Sequence, residues 1–547
     1  MESAMKTNKV LSSVLVVGLT SVAVGCGGGP YSCEDGIGCP GAGTDSGTGG
    51  TAGASGSGGT SGSGGQGGQA GTAGTGGDGG TCDTTKSPSQ ESCLVDEQYG
   101  VFVDAGSTAG TADGTRAAPY KTITAALANA KGKSIYVCNT NGEYNEDVTV
   151  SSANDGAAIH GGFKCTDWKY DTTTKAVIKG STTAWKASGL SVGMTVEDFD
   201  VQSADGAPTG ESSFAMIVSA SQNVVLRRVK ITAGKAGGGQ DGAAGQEGTA
   251  GVVPAAAQQG TAATCAGAPA TQSGGMWGAA SECGSLGGSG GDAKKAGAGG
   301  NGTPGTPLTN VSPANNDNKG DGSAIPPADG TAGKQGSNGN AGSVGLVAAA
   351  TGAFSASGYV PADGQAGTDG FPGQGGGGGG ASAATGLSTC IGASGGAGGM
   401  GGCGGKHGSA GGGGGASVAL LSWQSQVTLD SCELIASDGG NGGKGGNAGA
   451  GGSGGSGAAG GAAASGMGKG GSGGDGGTGG PGGSGSGGSG GPSHGLVYNG
   501  SQPQQIGTVN IQSGNGGTKG KGGSVNGIGL NPAPDGSDGD NASTFEQ

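Results

Sequence analysis

The chain reads VEDFDVQSADG at residues 196–206, LRRVKITAG at 226–234, LDSCELIASDGG at 429–440 and IGTVNIQSGNGG at 506–517. In each stretch a second apolar residue follows the first by three positions and a third follows two positions later. Small polar residues and glycine then end the stretch. Apolar residues two apart mark one face of a strand, and the three-residue step marks a bend between two short strands. Each copy is too short to bury its own apolar face, so the repeat predicts stacked coils of a β-helix.

The same pattern extends beyond these four places. An apolar residue also precedes each of the last three copies by nine positions, at Ile217, Leu420 and Val497. A weaker fifth copy is Phe354-x-x-Ser357-x-Tyr359, which is followed by VPADG. We interpret all of these as parts of one solenoid.

The composition excludes several classes of protein. Of 547 residues, 144 are glycine and 32% are hydrophobic, which is too little apolar side chain for a conventional globular enzyme of this length. The 19 prolines are far below the ~15–20% proline and hydroxyproline that collagen uses. The net charge of −14 and the presence of only Arg116, Arg227 and Arg228 as arginines argue against nucleic acid as a partner.

The N-terminus has the features of an export signal. Lys6 and Lys9 precede an apolar run over 10–24 that is shorter than the ~20 residues of a membrane span but typical of a signal peptide. The run ends in Ala23-Val24-Gly25-Cys26, which resembles a bacterial lipobox. This resemblance implies a signal peptide over 1–25 and a lipid on Cys26. The alternative is a plain secretory signal that is cleaved near Gly25.

Residues 26–81 read as a flexible Gly/Ser-rich tether, because they have no apolar periodicity. We assign an N-terminal cap and first coils to residues 82–235. Further coils that carry glycine-rich insertions are assigned to 236–547.

The twelve cysteines agree with export to an oxidising compartment. Cys26 is the predicted lipidation site, and Cys432 occupies a predicted core position. The other cysteines form candidate couples that are close in sequence. The spacing does not determine the pairing. With no C-x₂-C spacing and three histidines, metal binding is not expected, and no cofactor is predicted. The candidate couples are Cys33 with Cys39, Cys82 with Cys93, Cys138 with Cys165, Cys265 with Cys283, and Cys390 with Cys403.

Residues 101–163 contain an aspartate-bearing strand, a Gly/Thr-rich loop, the segment APYKTI at 118–123 and a short helix over 124–130. A strand over 134–138 follows. This order is similar to the N-terminal cap of right-handed parallel β-helices of the pectin-lyase-like superfamily. The resemblance implies an all-β, right-handed parallel β-helix whose exposed apolar end is covered by a short helix, as terminal caps do in solenoids.

The glycine-rich stretches are interpreted as long, largely irregular insertions that leave the same corner of successive coils. Several have glycine at every third position, a period that suits polyproline II geometry. Two states remain open, packed bundles of polyproline II segments or disorder, and composition alone favours disorder. The composition also resembles the PGRS-type glycine-rich repeat proteins of cell envelopes.

The strongest candidates for catalytic residues are Asp198 and Asp200 on one coil, with Arg227, Arg228 and Lys230 on the next. Strand alternation points Asp198, Asp200, Arg227 and Lys230 outward, where they would form a solvated ladder of opposite charges. His160 alternates with Ile159 on a strand and is interpreted as structural. We therefore predict no catalytic residues.

These observations favour a non-enzymatic, lipid-anchored envelope protein that displays glycine-rich loops. Its expected partners are the membrane, through the N-terminal lipid, and extracellular glycans or other copies of the chain. The expected location is the outer membrane or cell surface, since Gly27 replaces the aspartate that retains some lipoproteins at the inner membrane. The alternative is a carbohydrate-active β-helix enzyme, either a polysaccharide lyase or a hydrolase.

Overall fold

The computed structural model describes residues 82–386, 389–525 and 531–547. The predicted signal peptide, the lipidation site Cys26, the tether over 26–81 and the candidate couple Cys33 and Cys39 therefore lie outside the described residues. In the described ranges, no helix is both long enough and apolar enough to cross a bilayer.

The described residues are mostly β-strands, with few helices. The helical elements are α1 Ile123–Asn129 and three 3₁₀ turns at Ser92–Leu94, Ser152–Asn154 and Ala256–Gln258. The strands are, in chain order, β1 Gly100–Val103, β2 Ser134–Cys138, β3 Val148–Val150, β4 Ala157–Phe163, β5 Ala176–Lys179, β6 Thr183–Ser188, β7 Met194–Glu197, β8 Phe199–Gln202, β9 Ser213–Ser219, β10 Val224–Arg227, β11 Lys230–Thr232, β12 Thr271–Gln272, β13 Ala293–Lys294, β14 Val311–Ser312, β15 Asn338–Gly339, β16 Ala353–Ser355, β17 Gly358–Val360, β18 Ser417–Trp423, β19 Val427–Asp430, β20 Glu433–Ile435, β21 Ser493–Asn499, β22 Gln504–Ile506, β23 Asn510–Gln512 and β24 Asn541–Glu546.

Three parallel sheets account for eighteen of these strands. Sheet A has the order β1-β2-β4-β7-β10-β19-β22, sheet B has the order β23-β20-β11-β8-β5, and sheet C has the order β24-β21-β18-β9-β6-β3. From β3 onward, and leaving out the short hairpin strands β12 to β17, the chain visits sheets C, A and B in turn. Parallel strands stacked in this cyclic order are consistent with a β-helix.

The core is built from columns of apolar side chains that stack from one coil to the next. Ile159, Val196, Leu226 and Leu429 are partners in adjacent strands of sheet A, and none of them is exposed. Full burial of one such side chain contributes about 1.5–3 kcal/mol. The predicted repeat therefore marks inward positions at three of its four copies.

Helix α1 lies where the sequence predicts a helix and covers one end of this core. Its N-cap is Thr122, whose hydroxyl accepts a hydrogen bond from the Ala125 N–H. Ile123, Ala126 and Leu127 are buried in the main core cluster.

The fourth copy of the repeat is out of register by one residue. Sheet A pairs Ile506 with Asp430 and not with Leu429, so Ile506 points outward and is 46% exposed. Further along, Leu434 pairs with Ile511 as the repeat predicts. The bend is one residue longer in this coil, since three residues separate Ile506 from Asn510 where two separate Asp430 from Glu433, and spacing alone does not reveal this.

The predicted fifth coil is wrong. Phe354 and Tyr359 are partners in an antiparallel hairpin formed by β16 and β17. Together with Phe214, Ile217 and Leu421 they belong to a second apolar cluster, separate from the main core. The spacing matches the coil pattern by coincidence, because the residues between the two aromatics form a tight turn.

Two of the sequence-near cysteine couples are also wrong. Cys82–Cys93 and Cys138–Cys165 are disulfides, but Cys265 bonds to Cys390 and Cys283 to Cys403, over 125 and 120 residues. The cause is an antiparallel contact between distant segments, since Thr264 bridges Ile391 directly beside the first bond. Cys432 is buried and unbonded, as predicted.

A matched pair of substitutions tests the register shift. Leu429→Ala should lower the free energy of unfolding by about 2–5 kcal/mol, because it leaves a cavity in a closed core. Ile506→Ala should cost about 0.5 kcal/mol or less, since this side chain is half in solvent. Denaturant unfolding followed by tryptophan fluorescence measures both. Equal losses would contradict the register described here.

Candidate functional site

The three long glycine-rich segments all leave the coils at one corner, between sheet B and sheet C. Residues 233–416 connect β11 to β18, residues 436–492 connect β20 to β21, and residues 513–540 connect β23 to β24. We refer to these three segments together as the glycine bundle. The shorter link over 203–212 occupies the same corner one coil earlier.

The parallel pairing of sheet B continues into the glycine bundle without a break. Beyond β11 and β20, the N–H groups of Ala233, Ala236 and Gly239 donate to the carbonyls of Ile435, Asp438 and Asn441 at 2.8–3.0 Å. The donors are three residues apart, which is the period of polyproline II. Each insertion therefore starts in register with the insertion of the neighbouring coil.

Backbone hydrogen bonds then join the segments to one another. Gly443, Gly446 and Gly449 donate to Gly412, Ser409 and Lys406 at 2.8–2.9 Å, so the segment over 440–461 runs antiparallel to the segment over 394–412. The segment over 471–491 shares such bonds with six neighbours, at 330–345, 362–380, 396–414, 440–461, 517–523 and 534–540. Six neighbours indicate a lattice of parallel and antiparallel extended chains.

The expectation of largely irregular, disordered insertions is corrected by this lattice in the described residues. Few of these residues belong to a helix or sheet, but many of their N–H and C=O groups are paired with neighbouring segments. Glycine lacks the side chain that a conventional core would bury, and the same lack allows backbones to touch. Composition reveals only the first of these two effects.

The run Gly375–Gly380 lies in the interior of the glycine bundle and is fully buried. A Cβ on Gly376 would lie 1.9 Å from the carbonyl oxygen of Gly474, and one on Gly377 would lie 1.8 Å from that of Asn318. On Gly378 it would lie 1.9 Å from the carbonyl oxygen of Ser289. Successive residues thus face different neighbours. Interior segments therefore need consecutive glycines, whereas segments at the rim need one in three.

At the rim of the glycine bundle, Asp and Asn side chains accept hydrogen bonds from backbone N–H groups of neighbouring segments. Asp241 Oδ1 accepts from the Lys444 N–H at 2.7 Å, Asn441 Oδ1 from Thr518 at 2.8 Å, and Asp369 Oδ1 from His407 at 3.0 Å. Each of these acceptors directly precedes a glycine of the lattice. The rim therefore presents side chains to solvent, and the described glycines whose added Cβ would touch nothing lie in turns and loops.

Of the charged residues singled out in the sequence, Arg227 lies on sheet A, and Asp198 and Arg228 lie in the bends between sheet A and sheet B. One row of register partners runs from Tyr136 through His160, Glu197 and Arg227 to Asp430. His160 Nδ1 lies 3.1 Å from Glu197 Oε2, Arg227 Nη1 also bonds Glu197, and Arg227 Nε donates to Asp430 at 2.9 Å. We call this row the charge ladder.

Asp198 belongs to the bend and not to the solvated ladder that alternation predicts. It has a left-handed backbone (φ 60°) and is fully buried, and Arg228 (φ 52°) holds its two oxygens at 2.8 Å each. Tyr170 hydrogen-bonds both Asp198 and Arg228. This bend lies within the three-residue step of the repeat. The step therefore already indicated in the sequence that Asp198 does not follow the strand alternation.

The other two candidates lie on sheet B. Asp200 and Lys230 are register partners, as the sequence predicts, and Lys230 Nζ lies 3.9 Å from Glu433. Sequence reasoning did not identify Glu197, Asp430 or Tyr170, because their roles depend on contacts between coils.

The electrostatics of these clusters are those of matched pairs. Burial raises the pKa of Glu197, but the hydrogen bond from His160 and the charges of Arg227 and Arg228 outweigh it, so the pKa is lowered overall. The hydrogen bond to Asp198 raises the pKa of Arg228. Both effects keep these groups charged at neutral pH. Buried ion pairs of this kind are typical of structural networks.

One further group of potential metal ligands exists in the described residues, formed by Asp104, Cys138 and Cys165. The two cysteines are joined in a disulfide, so neither offers the thiolate that a metal requires. This group therefore does not fit a metal ion.

Comparison with known protein families gives a match for one segment of the chain. A family profile described as a protein of unknown function (DUF1565) matches residues 106–150, which contain α1 and β2 and end with β3. That family is associated with parallel β-helix proteins, in agreement with the parallel sheets. No curated protein and no solved structure matches the chain.

A pair of glycine substitutions tests the packing of the glycine bundle. Gly377→Ala should lower the free energy of unfolding by about 1–3 kcal/mol or more, because its Cβ meets a fixed carbonyl. Gly278→Ala should change it by about 0.5 kcal/mol or less, since an added Cβ there touches nothing. Hydrogen exchange of the bundle amides and thermal unfolding measure the effect. Equal tolerance of both substitutions would show that the bundle is not close-packed.

Proposed function

We propose that this chain is an exported, lipid-anchored cell-envelope protein with a structural or adhesive role and no catalytic activity. It displays glycine-rich loops from a right-handed parallel β-helix. The lipid is attached at Cys26, and the PGRS-like composition reflects the displayed loops.

The common exit corner of the three insertions carries this proposal. Because they leave one edge of the coils in register and share one lattice, the described parts of residues 233–416, 436–492 and 513–540 form a single body. Its three segments start in register because they continue from strands that are stacked in a common base. Sheets A, B and C supply that base, and display is the role that explains both parts.

The charge distribution favours display over catalysis. A lyase or hydrolase on a β-helix would need accessible carboxylates or a free base on adjacent coils. Glu197 and Asp198 are fully buried and held by Arg227 and Arg228. Their pairing with arginines suits the stacking of coils, and it leaves the outer face of sheet A without an open acidic cleft in the described part.

The rim of the glycine bundle favours an external partner over growth of the lattice. Along the segment over 239–251 the outward side chains include Gln240, Gln246 and Thr249, all exposed. These amides and hydroxyls suit hydrogen bonding to glycans. Their Cβ atoms also keep another backbone from approaching as closely as the interior segments do, so we favour adhesion or coating over self-association.

The anchor is tested in the full-length chain expressed in a Gram-negative host. Metabolic labelling with a radioactive fatty acid should label the wild-type protein, which should sediment with membranes. Cys26→Ala should lose both properties, while Cys432→Ala, a control that removes a buried thiol, should keep them. A Cys26→Ala protein that is labelled equally would contradict the anchor.

The absence of catalysis is tested with the mature full chain and a panel of polysaccharides that includes polyuronates. Samples with calcium and with EDTA should show binding without product, and Gly377→Ala should weaken binding by disturbing the glycine bundle. Release of reducing or unsaturated ends would overturn the non-enzymatic proposal and favour the carbohydrate-active alternative. Absence of binding to every polymer would contradict the adhesive role.

A further inference from the structure

A cavity of about 320 Å³ lies beside sheet A at the capped end of the coils. Residues from the N-terminal segment 84–99 form one side, and residues at β2 and β4 form the other. Its volume is in the range of small-ligand sites. The cavity is separate from the glycine bundle, so what it binds goes beyond the proposed display function.

His160 lines this cavity and belongs to the charge ladder, where it stands between Tyr136 and Glu197. The His160 side chain is only 5% exposed, and its Nδ1 lies 3.1 Å from Glu197 Oε2. The ring packs near Tyr136, with 6.1 Å between ring centroids. Nε2 makes no hydrogen bond with any described residue, and His160 is among the residues that line the cavity. The bond to Glu197 fixes the ring and leaves Nε2 available to a ligand.

The charges around the cavity are positive, although the chain as a whole carries −14. Lys86 and Lys133 line it together with His160, and no lining residue is acidic. Lys133 Nζ donates to the backbone carbonyl of Glu97 at 2.7 Å and has two further N–H donors. The Lys86 contacts with Glu91 and Asp83, at 3.5 and 3.7 Å, join half-exposed groups that water screens.

The nearby carboxylates of Glu97 and Asp96 already accept hydrogen bonds from backbone N–H groups. Glu97 Oε1 accepts from the Arg116 N–H at 2.9 Å, and Asp96 Oδ1 accepts from the Gln98 N–H at 2.9 Å. Behind His160, the ladder and its bend contain three carboxylates (Glu197, Asp198 and Asp430) against the guanidinium groups of Arg227 and Arg228. His160 meets this group of charges through Nδ1, so Nε2 is the ring nitrogen left for a ligand in the cavity.

We propose that this cavity binds a tetrahedral oxyanion, the phosphate or sulfate group of a ligand. Lysine ammonium groups act as point charges that suit several acceptor oxygens, whereas planar carboxylates are matched by the arginine fork, which no lining residue provides. Ser134 and Tyr99 add neutral hydroxyl donors at the same cavity. The oxyanion would receive hydrogen bonds from His160, Lys133 and these hydroxyls.

The test uses the mature full chain at pH 6 and constant ionic strength, with sodium phosphate, sodium sulfate and sodium acetate as probes. Titration calorimetry measures affinity, and the ¹⁵N resonances of the His160 ring report contact. Phosphate, sulfate or both should shift these resonances, and whichever binds more tightly identifies the source of the oxyanion. Lys133→Gln should weaken binding about tenfold, as loss of one charged hydrogen bond does. Lys444→Gln, which removes the same charge from the glycine bundle, should leave it unchanged.

Three outcomes would overturn the proposal. The first is that neither tetrahedral anion shifts the His160 resonances at a concentration of about 20 mM. This concentration is about 20 times a reference Kd of about 1 mM. The second is equal binding by the wild type and Lys133→Gln. The third is acetate binding as tightly as phosphate and sulfate. Ser134→Ala, a second conservative variant, should weaken binding severalfold and keeps the test valid if Lys133→Gln misfolds.

Discussion

Carbonyl oxygens of neighbouring segments lie about 2 Å from where a Cβ would stand on the interior glycines, for example 2.0 Å at Gly379 and 1.9 Å at Gly395. This close approach of backbone to backbone is the constraint on which the glycine-rich half of the chain depends. Hydrogen bonds and dispersion contacts between backbones take the place of buried apolar side chains. An added methyl group at these positions would separate two segments and break the bonds on both sides.

The coils make this lattice possible because they determine where each segment begins. Loss of backbone freedom is the main cost of ordering a glycine-rich chain. When β11, β20 and β23 are stacked in sheet B, the residues that follow them are already aligned in parallel, and hydrogen bonds such as those from Ala236 and Gly439 extend the sheet pairing outward. The disulfide Cys283–Cys403 then ties together two segments within the lattice. The β-structure therefore acts as a template for the glycine bundle.

Sequence reasoning succeeded where a local pattern is also a packing rule. The apolar columns through Val196, Leu226 and Leu429 follow from spacing, and the cap helix α1 follows from spacing together with the resemblance to β-helix caps. It failed at Ile506, where a bend one residue longer than in the neighbouring coil places the side chain outward, and at Phe354, whose spacing matches a coil although the segment forms a hairpin. The charge ladder was visible only in part, since Asp198 lies in a bend and its partner is Arg228.

The amino-acid pattern alone predicts that coils stack, that one end needs a cap and that the glycine-rich stretches cannot form an ordinary core. These conclusions depend on the residues of one short segment and on the apolar surface that it must bury. The folded arrangement was needed to show that the insertions share one corner, that Cys265 bonds to Cys390, and that His160 lines a cavity. Each of these relations joins residues from different coils or insertions. Glycine has no side chain whose size or polarity would indicate its packing partner. The partner of each glycine is therefore known only once the coils have aligned the segments.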